Sequence, residues 1–573
     1  MQSVGSVEVV KGNSSSLYTN APGGIINFIS DIHFPKSFFY NFNEFGSFDL
    51  RSNGFKTGVK TDKYAFLLTY NYHQAKGYRP HSDDYFHIVN SVLETKPGDL
   101  STLGVYVNYV DGLIKLPGSL KLAEFTEDPY QANQTDVSRD SKRITTKGRV
   151  GLRFETFFGE NNNNDIEVTG YATMKYFERT SAVYRIFTRN GVGASGRYVN
   201  RSQLFGQANE FSVGSDLFYQ TGPIEFYPNL NGARGDGLVD DNVVSETIGN
   251  TGLYFQNTLN LVKDKLDLML SGRSDKVVFD SRNAVLAAKD AIRRYEKFTP
   301  KAALNYKLTP RIAAYTSYGA GFDTPAFNEM DNYPTSSDFP KLLNPDLQAQ
   351  KSNNFELGVK GNVFNPDEEL FKHVFFEATF FNSKVEDEIV PFEVGGDVFF
   401  RNAGKTNRTG IEIGGDAEVV PGLHFKPAYT YSNFKYDSYV ARTIDNSGNV
   451  IDKDFSGNIV PSVPKHNLSL TLSYLRNLLD NLSCFVKGNY ISVTEMYTDD
   501  QNSEGTASYQ LMNSTVGFDL GLDKFNIVVS GGVNNMTDEV YAAFININST
   551  SGRFYEAGEP RNYFGGIRLG YSF

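Results

Sequence analysis

Five arginines stand close together in one polar stretch of the chain, at Arg179, Arg185, Arg189, Arg197 and Arg201. A guanidinium group donates paired hydrogen bonds to a carboxylate or a phosphate, so arginine suits the binding of such anions. The stretch has no clear apolar periodicity, which predicts a surface loop over roughly 178–203. The loop is therefore a candidate anion-binding segment, and the alternative is a solvated loop with no ligand.

Two further motifs resemble ligand-binding loops. Residues 191–196 (GVGASG) have the glycine spacing of a dinucleotide-binding loop, but that loop acts only between a strand and a helix of a βαβ unit. Residues 231–242 (NGARGDGLVDDN) suggest a calcium loop. If Asp236 takes its fifth position, however, Gly232 and Arg234 stand where oxygen ligands are needed. We interpret both segments as solvated loops.

The remaining reactive residue types form no catalytic or metal-binding pattern. The single cysteine, Cys484, permits no internal disulfide and no thiolate cluster. No Ser–His–Asp arrangement or carboxylate pair can be assigned, so the sequence predicts neither an enzyme nor a cofactor or metal site. The seven histidines lie apart, without ligand spacing, at His33, His73, His81, His87, His373, His424 and His466.

The elements that position these residues are strands, because period-two alternation recurs along nearly the whole chain. In 465–475 (KHNLSLTLSYL), leucines alternate with asparagine, serine and threonine. In 147–157 (KGRVGLRFETF), Val150, Leu152 and Phe154 point one way and charged residues point the other. No extended helical pattern competes. The fold class is therefore all-β, with two unlike faces on each strand.

The composition is compatible with a membrane barrel and argues against nucleic-acid binding. Hydrophobic residues make up 40% of the chain and the mean hydropathy is −0.37. No window approaches the ~18–20 apolar residues of a membrane helix, but only every second residue of a barrel strand meets lipid. The 46 Phe and 34 Tyr could supply the aromatic girdles of such a barrel. A net charge of −11 is unlike the basic footprint that nucleic acid requires.

Short and long connections alternate along the chain, as in outer-membrane barrels. The tight turns include 61–63, 96–99, 263–265, 308–310 and 421–422. The long polar stretches are roughly 111–146, 178–203, 275–294, 321–350, 385–406, 437–463, 492–507 and 535–560.

Counting strands between these connections predicts a transmembrane antiparallel β-barrel of about 22 strands. The even number places both barrel ends on the same side of the membrane, and Phe573 ends the closing strand. The predicted strands begin near 39, 50, 64, 85, 102, 147, 165, 204, 223, 251, 265, 295, 311, 351, 372, 407, 422, 464, 481, 508, 525 and 561.

Several segments, in order along essentially the whole chain, resemble TonB-dependent outer-membrane receptors. Residues 6–30 (SVEVVKGNSSSLYTNAPGGIINFIS) resemble the end of that family's plug domain. The resemblance implies two domains, the C-terminal end of the plug at 1–30 and the receptor barrel at 31–573. The other matching segments are 317–330 (SYGAGFDTPAFNEM), 344–360 (NPDLQAQKSNNFELGVK), 401–413 (RNAGKTNRTGIEI), 533–541 and 559–573.

The resemblance also implies a function, a location and partners. Such receptors bind a ligand at the surface of a Gram-negative outer membrane and import it with energy delivered by TonB through an N-terminal TonB box. Lipid, lipopolysaccharide and the barrel assembly machinery, the last through the strand ending at Phe573, are further expected partners. Residues 112–134 (GLIKLPGSLKLAEFTEDPYQANQ) are similar to a loop of the ferric dicitrate type. The expected cargo is therefore a ferric siderophore or ferric carboxylate chelate, which the arginines would bind; otherwise they face lipopolysaccharide.

The chain as given begins within the expected plug, without a signal peptide or a TonB box. We interpret it as a truncated receptor, through a misassigned start, a split gene or a fragment. Alternative functions are a plugless diffusion channel, a receptor of the same family for a non-iron cargo such as cobalamin or an oligosaccharide, and a soluble β-rich binding protein. The segment 6–30 argues against the channel, and the lipid-facing alternation argues against the soluble protein.

Overall fold

The computed structural model describes residues 3–237, 243–333, 336, 338, 340–364, 370–394, 397–444 and 450–573. Strands dominate the described residues, with short α-helices α1 (Leu122–Glu127) and α2 (Gln134–Ser138) and 3₁₀ turns at Glu160–Asn162, Ala287–Lys289 and Phe327–Glu329. No helix in this part of the chain has the length and hydropathy needed to span a lipid bilayer. The strands are β1 (Val4–Lys11), β2 (Gly24–Ser30), β3 (Phe38–Gly46), β4 (Leu50–Lys60), β5 (Tyr64–Ala75), β6 (Asp84–Gly98), β7 (Ser101–Lys115), β8 (Leu120–Lys121), β9 (Lys142–Phe158), β10 (Asn164–Thr180), β11 (Val183–Leu204), β12 (Gln207–Leu230), β13 (Ala233–Arg234), β14 (Val243–Val262), β15 (Leu266–Asn283), β16 (Ala291–Thr309), β17 (Ile312–Asp323), β18 (Gln350–Phe364), β19 (His373–Val394), β20 (Asp397–Val420), β21 (Leu423–Ser438), β22 (Val440–Ile444), β23 (Val450–Asp454), β24 (His466–Leu479), β25 (Leu482–Val493), β26 (Tyr509–Leu522), β27 (Phe525–Asn534), β28 (Ala542–Ile545), β29 (Arg553–Ala557) and β30 (Asn562–Ser572).

Twenty-two of these strands close into one antiparallel barrel, which confirms the predicted fold class. They are β3–β7, β9–β12, β14–β21, β24–β27 and β30. Each strand pairs with its neighbours along the chain, and β3 pairs with β30 from Phe38↔Ser572 to Gly46↔Phe564 to close the ring. Closure leaves no barrel strand with an unpaired edge, which is the condition for a sheet to stand in lipid.

The two faces of the strands differ as the alternation predicts. On β9, Val150, Leu152 and Phe154 are 51%, 54% and 38% exposed, and they belong to an apolar belt on the outside of the barrel. On the inside of β24 and β25, polar side chains bond to one another. There, Asn489 donates hydrogen bonds to Ser469 Oγ at 3.2 Å and to a neighbouring threonine hydroxyl. The outside therefore meets lipid and the inside is a polar lumen.

Three predicted loops are mostly strand in the structure, with 275–283 in β15 and the glycine motif 191–196 in β11. Residues 183–204 form β11, of 22 residues, and β19 and β20, of 22 and 24 residues, occupy most of 385–406. Strands of this length extend about 70 Å, far more than the ~9–11 residues that cross a bilayer. Their ends therefore extend beyond the membrane, where no apolar face is required. For this reason the sequence of these ends resembles that of a polar loop.

The long connections that remain all lie at one end of the barrel, here called the outer end. They are 116–141, 324–349, 439–465, 494–508 and 535–561, and they carry β8, β22, β23, β28, β29 and both α-helices. The described part of 324–349 folds inward, and its Phe327, Met330 and Leu343 are buried against Val277 and Phe279 of β15. Of the segment 231–242, residues 238–242, which include two of its aspartates, lie outside the described residues.

The first strands form a separate unit, here called the N-terminal hairpin. β1 and β2 pair antiparallel from Val4↔Ser30 to Lys11↔Gly24, as a two-stranded sheet apart from the barrel. Its loop, residues 12–23, bonds to inward-facing side chains of β15–β17. The hairpin therefore lies within the lumen.

Candidate anion-binding site in the barrel lumen

A buried arginine of the barrel wall holds the loop of the N-terminal hairpin. The Arg273 side chain is fully buried and donates to Asp275 at 2.9 Å and to Asp216 at 2.7 Å. It also donates to the carbonyl of Leu17 at 2.9 Å and to the hydroxyl of Thr19 at 2.6 Å. One guanidinium thus joins two wall carboxylates to two residues of the hairpin loop.

Further polar contacts bind the same loop to the neighbouring strands. Asn13 donates to the carbonyl of Ala320 at 2.7 Å and accepts at its own carbonyl from Lys301 at 2.6 Å. The Thr299 hydroxyl donates to the carbonyl of Ser15 at 2.9 Å. The loop is therefore fixed to one side of the lumen, the wall formed by β15–β17.

The five predicted arginines do not lie in one loop, which corrects the prediction of an anion-binding loop at 178–203. Arg179 is the second-last residue of β10 and the other four lie along β11, because the connection between these strands is only Ser181 and Ala182. The register places Arg179 directly opposite Arg185 at the outer end. The structure therefore brings Arg179, Arg185 and Arg189 into one region and leaves the other two farther down the wall.

Arg197 and Arg201 lie toward the inner end of β11 and are paired there. Arg201 contacts Asp165 at 2.7 Å and Glu210 at 3.0 Å, while Arg197 contacts Glu167 at 3.2 Å. Asp165 is buried, so these ion pairs neutralise a carboxylate that would otherwise be unpaired in the wall.

Two rows of cations cross the inner face of β9–β11, separated by aromatic rings of Phe177 and Phe187. Directly opposite residues on an antiparallel pair point to the same face, and like charges placed there destabilise the sheet. Such rows therefore indicate a function that compensates for the stability lost through this repulsion. The upper row is Arg143, Arg179 and Arg185, and the lower row is Lys147, Lys175 and Arg189.

The infolded connection and β14 supply carboxylates to part of this surface. Arg185 contacts Asp331 at 3.1 Å, and Arg189 forms an ion pair with Glu246, which is 5% exposed. Arg189 also lies 5.7 Å from the ring of Phe327. The inward fold of 324–349 thus places an acidic residue against the upper row.

Three cations beside these pairs have no acidic partner. Within the described part of the chain, Lys147, Arg149 and Lys175 form no ion pair. All three line a cavity of about 620 Å³. The opposite side of this cavity is Tyr18 and Thr19 of the hairpin loop.

The other side of the hairpin meets glutamates of the opposite wall. Lys11 of β1 forms ion pairs with Glu377 and Glu412, and Glu356 lines the same cavity of about 700 Å³. Lys301, Lys360 and Arg408 line the same cavity, so charges of both signs are present there, whereas cations predominate on the inner face of β9–β11 toward the outer end, here called the basic wall. The described residues contain no cluster of His, Cys, Asp or Glu arranged to hold a metal ion.

Most of the basic wall was not identified from the sequence. Arg143 falls in the predicted loop 111–146, and Lys147 and Lys175 look like ordinary polar positions of two separate strands. Only the register of β9 with β10 places Lys147 opposite Lys175. One sequence signal could have indicated the residues of the basic wall. It is an alternating strand whose inward-facing positions are consistently basic.

The β-barrel of TonB dependent receptor-like proteins is the family model that matches the chain, over residues 95–536. The chain belongs to this family. The receptor is thus an outer-membrane β-barrel protein of a Gram-negative bacterium, in agreement with its closed ring of 22 antiparallel strands.

Individual relatives of the receptor are distant in sequence and similar in fold. The ferrioxamine receptor of Yersinia enterocolitica is 24% identical over 345 residues, which cover 58% of this chain and 43% of that protein. The siderophore receptor PiuA of Acinetobacter baumannii has a TM-score of 0.81 at 15% identity, over 99% of this chain and 86% of that one. The unliganded ferric citrate transporter FecA has a TM-score of 0.79 at 17% identity, over 99% and 83%. The chain thus spans less than half the length of its curated relative.

Proposed function

We propose that this receptor imports an anionic ferric chelate across the outer membrane and that the upper basic row captures it. The two cation rows on the inner face of β9–β11 carry the proposal. The ferrioxamine receptor and the ferric citrate transporter among its relatives support iron chelates as the cargo class. The proposed activity is transport rather than catalysis.

The upper row suits a ligand with several carboxylates. Arg179 and Arg185 face each other across the strand pair, and Arg143 lies on the other side of Arg179. Charge-assisted hydrogen bonds contribute about 1.5–3 kcal/mol each before the costs of desolvation and ordering. A bound polyanion would also relieve the repulsion between the opposed guanidinium groups.

Of the five arginines indicated by the sequence, three belong to this proposal. Arg179, Arg185 and Arg189 line the basic wall at the outer end. Arg197 and Arg201, which are occupied by carboxylates of β10 and β12, are proposed to stabilise the wall instead.

The N-terminal hairpin is proposed to be the end of the plug domain, with the division at 1–30 and 31–573 kept as a prediction. Its loop is bound to the wall, as expected for a plug that occupies the lumen. TonB is the proposed energy-coupling partner. Lipopolysaccharide around the outer end and the barrel assembly machinery, acting on the strand that precedes Phe573, are proposed as further partners.

The proposal is tested by replacing Arg179 and Arg185 together with glutamine. We expect binding of ferric citrate to the receptor in outer membranes to weaken at least about tenfold, a loss of ~1.4 kcal/mol or more. Arg282→Gln is the matched control, because Arg282 is an exposed arginine at the same end and pairs with Asp280. Heat-modifiable migration on gels checks that each barrel is folded.

Three results would contradict the proposal. Unchanged affinity of the double variant across a panel of ferric carboxylates would leave the upper row as surface charge. Tight binding of cobalamin or a neutral oligosaccharide instead would identify a non-iron cargo, and a large constitutive single-channel conductance would favour a diffusion channel.

A further inference from the structure

We propose that the lower row, together with Arg149, forms a second anion site inside the lumen, through which the chelate passes after capture. This inference rests on the proposed function and extends it along the wall. The site is the cavity of about 620 Å³ between β9–β11 and the loop of the N-terminal hairpin. Its ligand is an anion with two or more carboxylates, either a ferric chelate or the iron-free acid.

The register assembles this site from three strands. Lys147 of β9 is opposite Lys175 of β10, and Lys175 is opposite Arg189 of β11. Arg149 is two residues farther along β9, so its side chain lies on the same face. Four cations thus converge on one cavity, whose volume is within the ~300–1,000 Å³ range of ligand pockets.

The absence of acidic partners distinguishes these cations from others on the same wall. Arg153, the next basic residue on this face of β9, contacts Glu155 at 2.9 Å and Glu167 at 3.0 Å. In the described part of the chain, Lys147, Arg149 and Lys175 contact no carboxylate. A wall that neutralises Arg153 with two glutamates and leaves two opposed lysines and the adjacent Arg149 without an ion pair is arranged to receive an external anion.

Aromatic rings on the same strand face contact two of these cations. The Lys175 ammonium lies 4.8 Å from the centre of the Phe177 ring, and the Arg149 guanidinium lies 5.6 Å from the Tyr171 ring. Such contacts are worth about 0.5–1 kcal/mol at exposed sites. They restrict both side chains before the ligand arrives, which reduces the entropic cost of binding.

The position of the site defines a route past the hairpin. Lys147 and Lys175 are four residues from Arg143 and Arg179 along their strands, a separation of about 13 Å. The lower row faces Tyr18 and Thr19, so an anion moving down the basic wall meets the hairpin loop there. On the opposite side, the cavity beside Lys11 is lined by three glutamates as well as by cations, so its charge is mixed. The passage therefore runs along β9–β11.

The first test uses chemical footprinting with iron-free citrate as the probe. The amines of Lys147 and Lys175 in the folded receptor are acylated with and without citrate, and modification is mapped by mass spectrometry. Lys360 is the matched control, because it is also a lumen lysine beside an aromatic ring, 5.7 Å from Tyr315 on the opposite wall. We expect citrate to protect Lys147 and Lys175 but not Lys360.

The second test compares capture with import in cells. With Lys147→Gln and Lys175→Gln combined, we expect surface binding of ferric citrate to change less than about twofold and uptake to slow at least about tenfold. Lys360→Gln should change neither. Heat-modifiability again reports folding of each variant.

The outcomes separate this inference from the proposed function. If the Arg179 and Arg185 variant loses binding but citrate leaves Lys147 and Lys175 unprotected, or protects Lys360 equally, the second site does not exist and capture still stands. Normal uptake by the double lysine variant overturns the site as well. If the wild type binds no ferric carboxylate, the proposed function fails first.

Discussion

Arg273 is the residue at which the N-terminal hairpin and the barrel wall depend most directly on one another. Its Nε and both terminal nitrogens donate to Asp216, Asp275, Leu17 and Thr19, and the side chain is fully buried. Burying a guanidinium is favourable only when each of its groups is paired, and here two carboxylates and two hairpin acceptors pair it. The hairpin therefore supplies two of the hydrogen-bond acceptors that this buried guanidinium of the barrel wall requires.

Arg273→Met tests this dependence. Because Asp275 is 3% exposed, losing its partner leaves a buried carboxylate uncompensated, and we expect a destabilisation of ~3–5 kcal/mol that falls mainly on hairpin docking. Limited proteolysis of the folded barrel should then cleave within residues 12–23, where the wild type resists. Arg282→Met, which breaks an exposed pair, should cost ~0–1 kcal/mol and leave the hairpin protected. Equal resistance of both variants would show that the other loop contacts suffice.

Strand length explains which elements could be predicted from the sequence. The strands that begin at Leu50, Tyr64 and Phe525 start where the alternation predicts, because their side chains divide sharply between lipid and lumen. β11 and β12 were expected near 204 and 223 but begin at Val183 and Gln207. The outer half of β11 rises above the apolar belt, where only pairing with neighbouring strands maintains the β-structure, and β12 continues unbroken through Pro223, where the sequence predicts a new strand.

The length of the strands beyond the membrane also limits how much of the anion-binding site can be predicted from the sequence. Clustering along the chain was enough to indicate Arg179, Arg185 and Arg189. Lys147 and Lys175 are 28 positions apart in the numbering, and only strand register makes them neighbours. Register follows from hydrophobic faces and turns, and both signals are weak above the membrane.

Three outer connections are joined through one buried carboxylate in the segment 494–508. Asp500 accepts a hydrogen bond from the Tyr436 hydroxyl at 2.7 Å and from Asn548 at 2.9 Å, and its own N–H donates to Asn548. Burial raises the pKa of Asp500, although these hydrogen bonds and Arg401 oppose the shift. The connection 494–508 is thereby tied to the base of 439–465 and to 535–561.

This raised pKa gives the loop cluster a pH dependence. A carboxyl group whose pKa is higher in the folded state favours folding most below its unfolded pKa of ~3.9 and loses that contribution as pH rises through the folded value. We expect larger protection factors for backbone hydrogen exchange in 494–508, which express the slowing of exchange after correction for the intrinsic pH dependence of amide exchange, at mildly acidic pH than at neutral pH. Asp500→Asn should remove this pH dependence, and Asp523→Asn, in an exposed turn at the inner end, should preserve it. Identical pH dependence in Asp500→Asn would assign the effect to another group.

The barrel and the N-terminal hairpin contribute to the stability of the fold in different ways. The barrel is a continuous ring in which every strand has two paired neighbours, and β30 with β3 supplies the last seam. The hairpin adds side-chain contacts to the walls at β15–β17 and β19–β20 and pairs with no barrel strand. Barrel closure should therefore be independent of the hairpin.

Two deletions of the same chain distinguish these roles. Without residues 3–30, Arg273 and Asp275 lose their hairpin partners, but lumen water can hydrate them and all 22 strands remain paired. We expect this variant to stay folded and heat-modifiable on gels, with a larger ion conductance because the lumen is emptier.

Without residues 562–573, β3 and β27 become edges, and each unpaired backbone group in lipid costs several kcal/mol. That variant should give no heat-modifiable species and no conductance. A folded barrel without β30, or an unfolded one without the hairpin, would show that the lumen contacts rather than the seam hold the ring together.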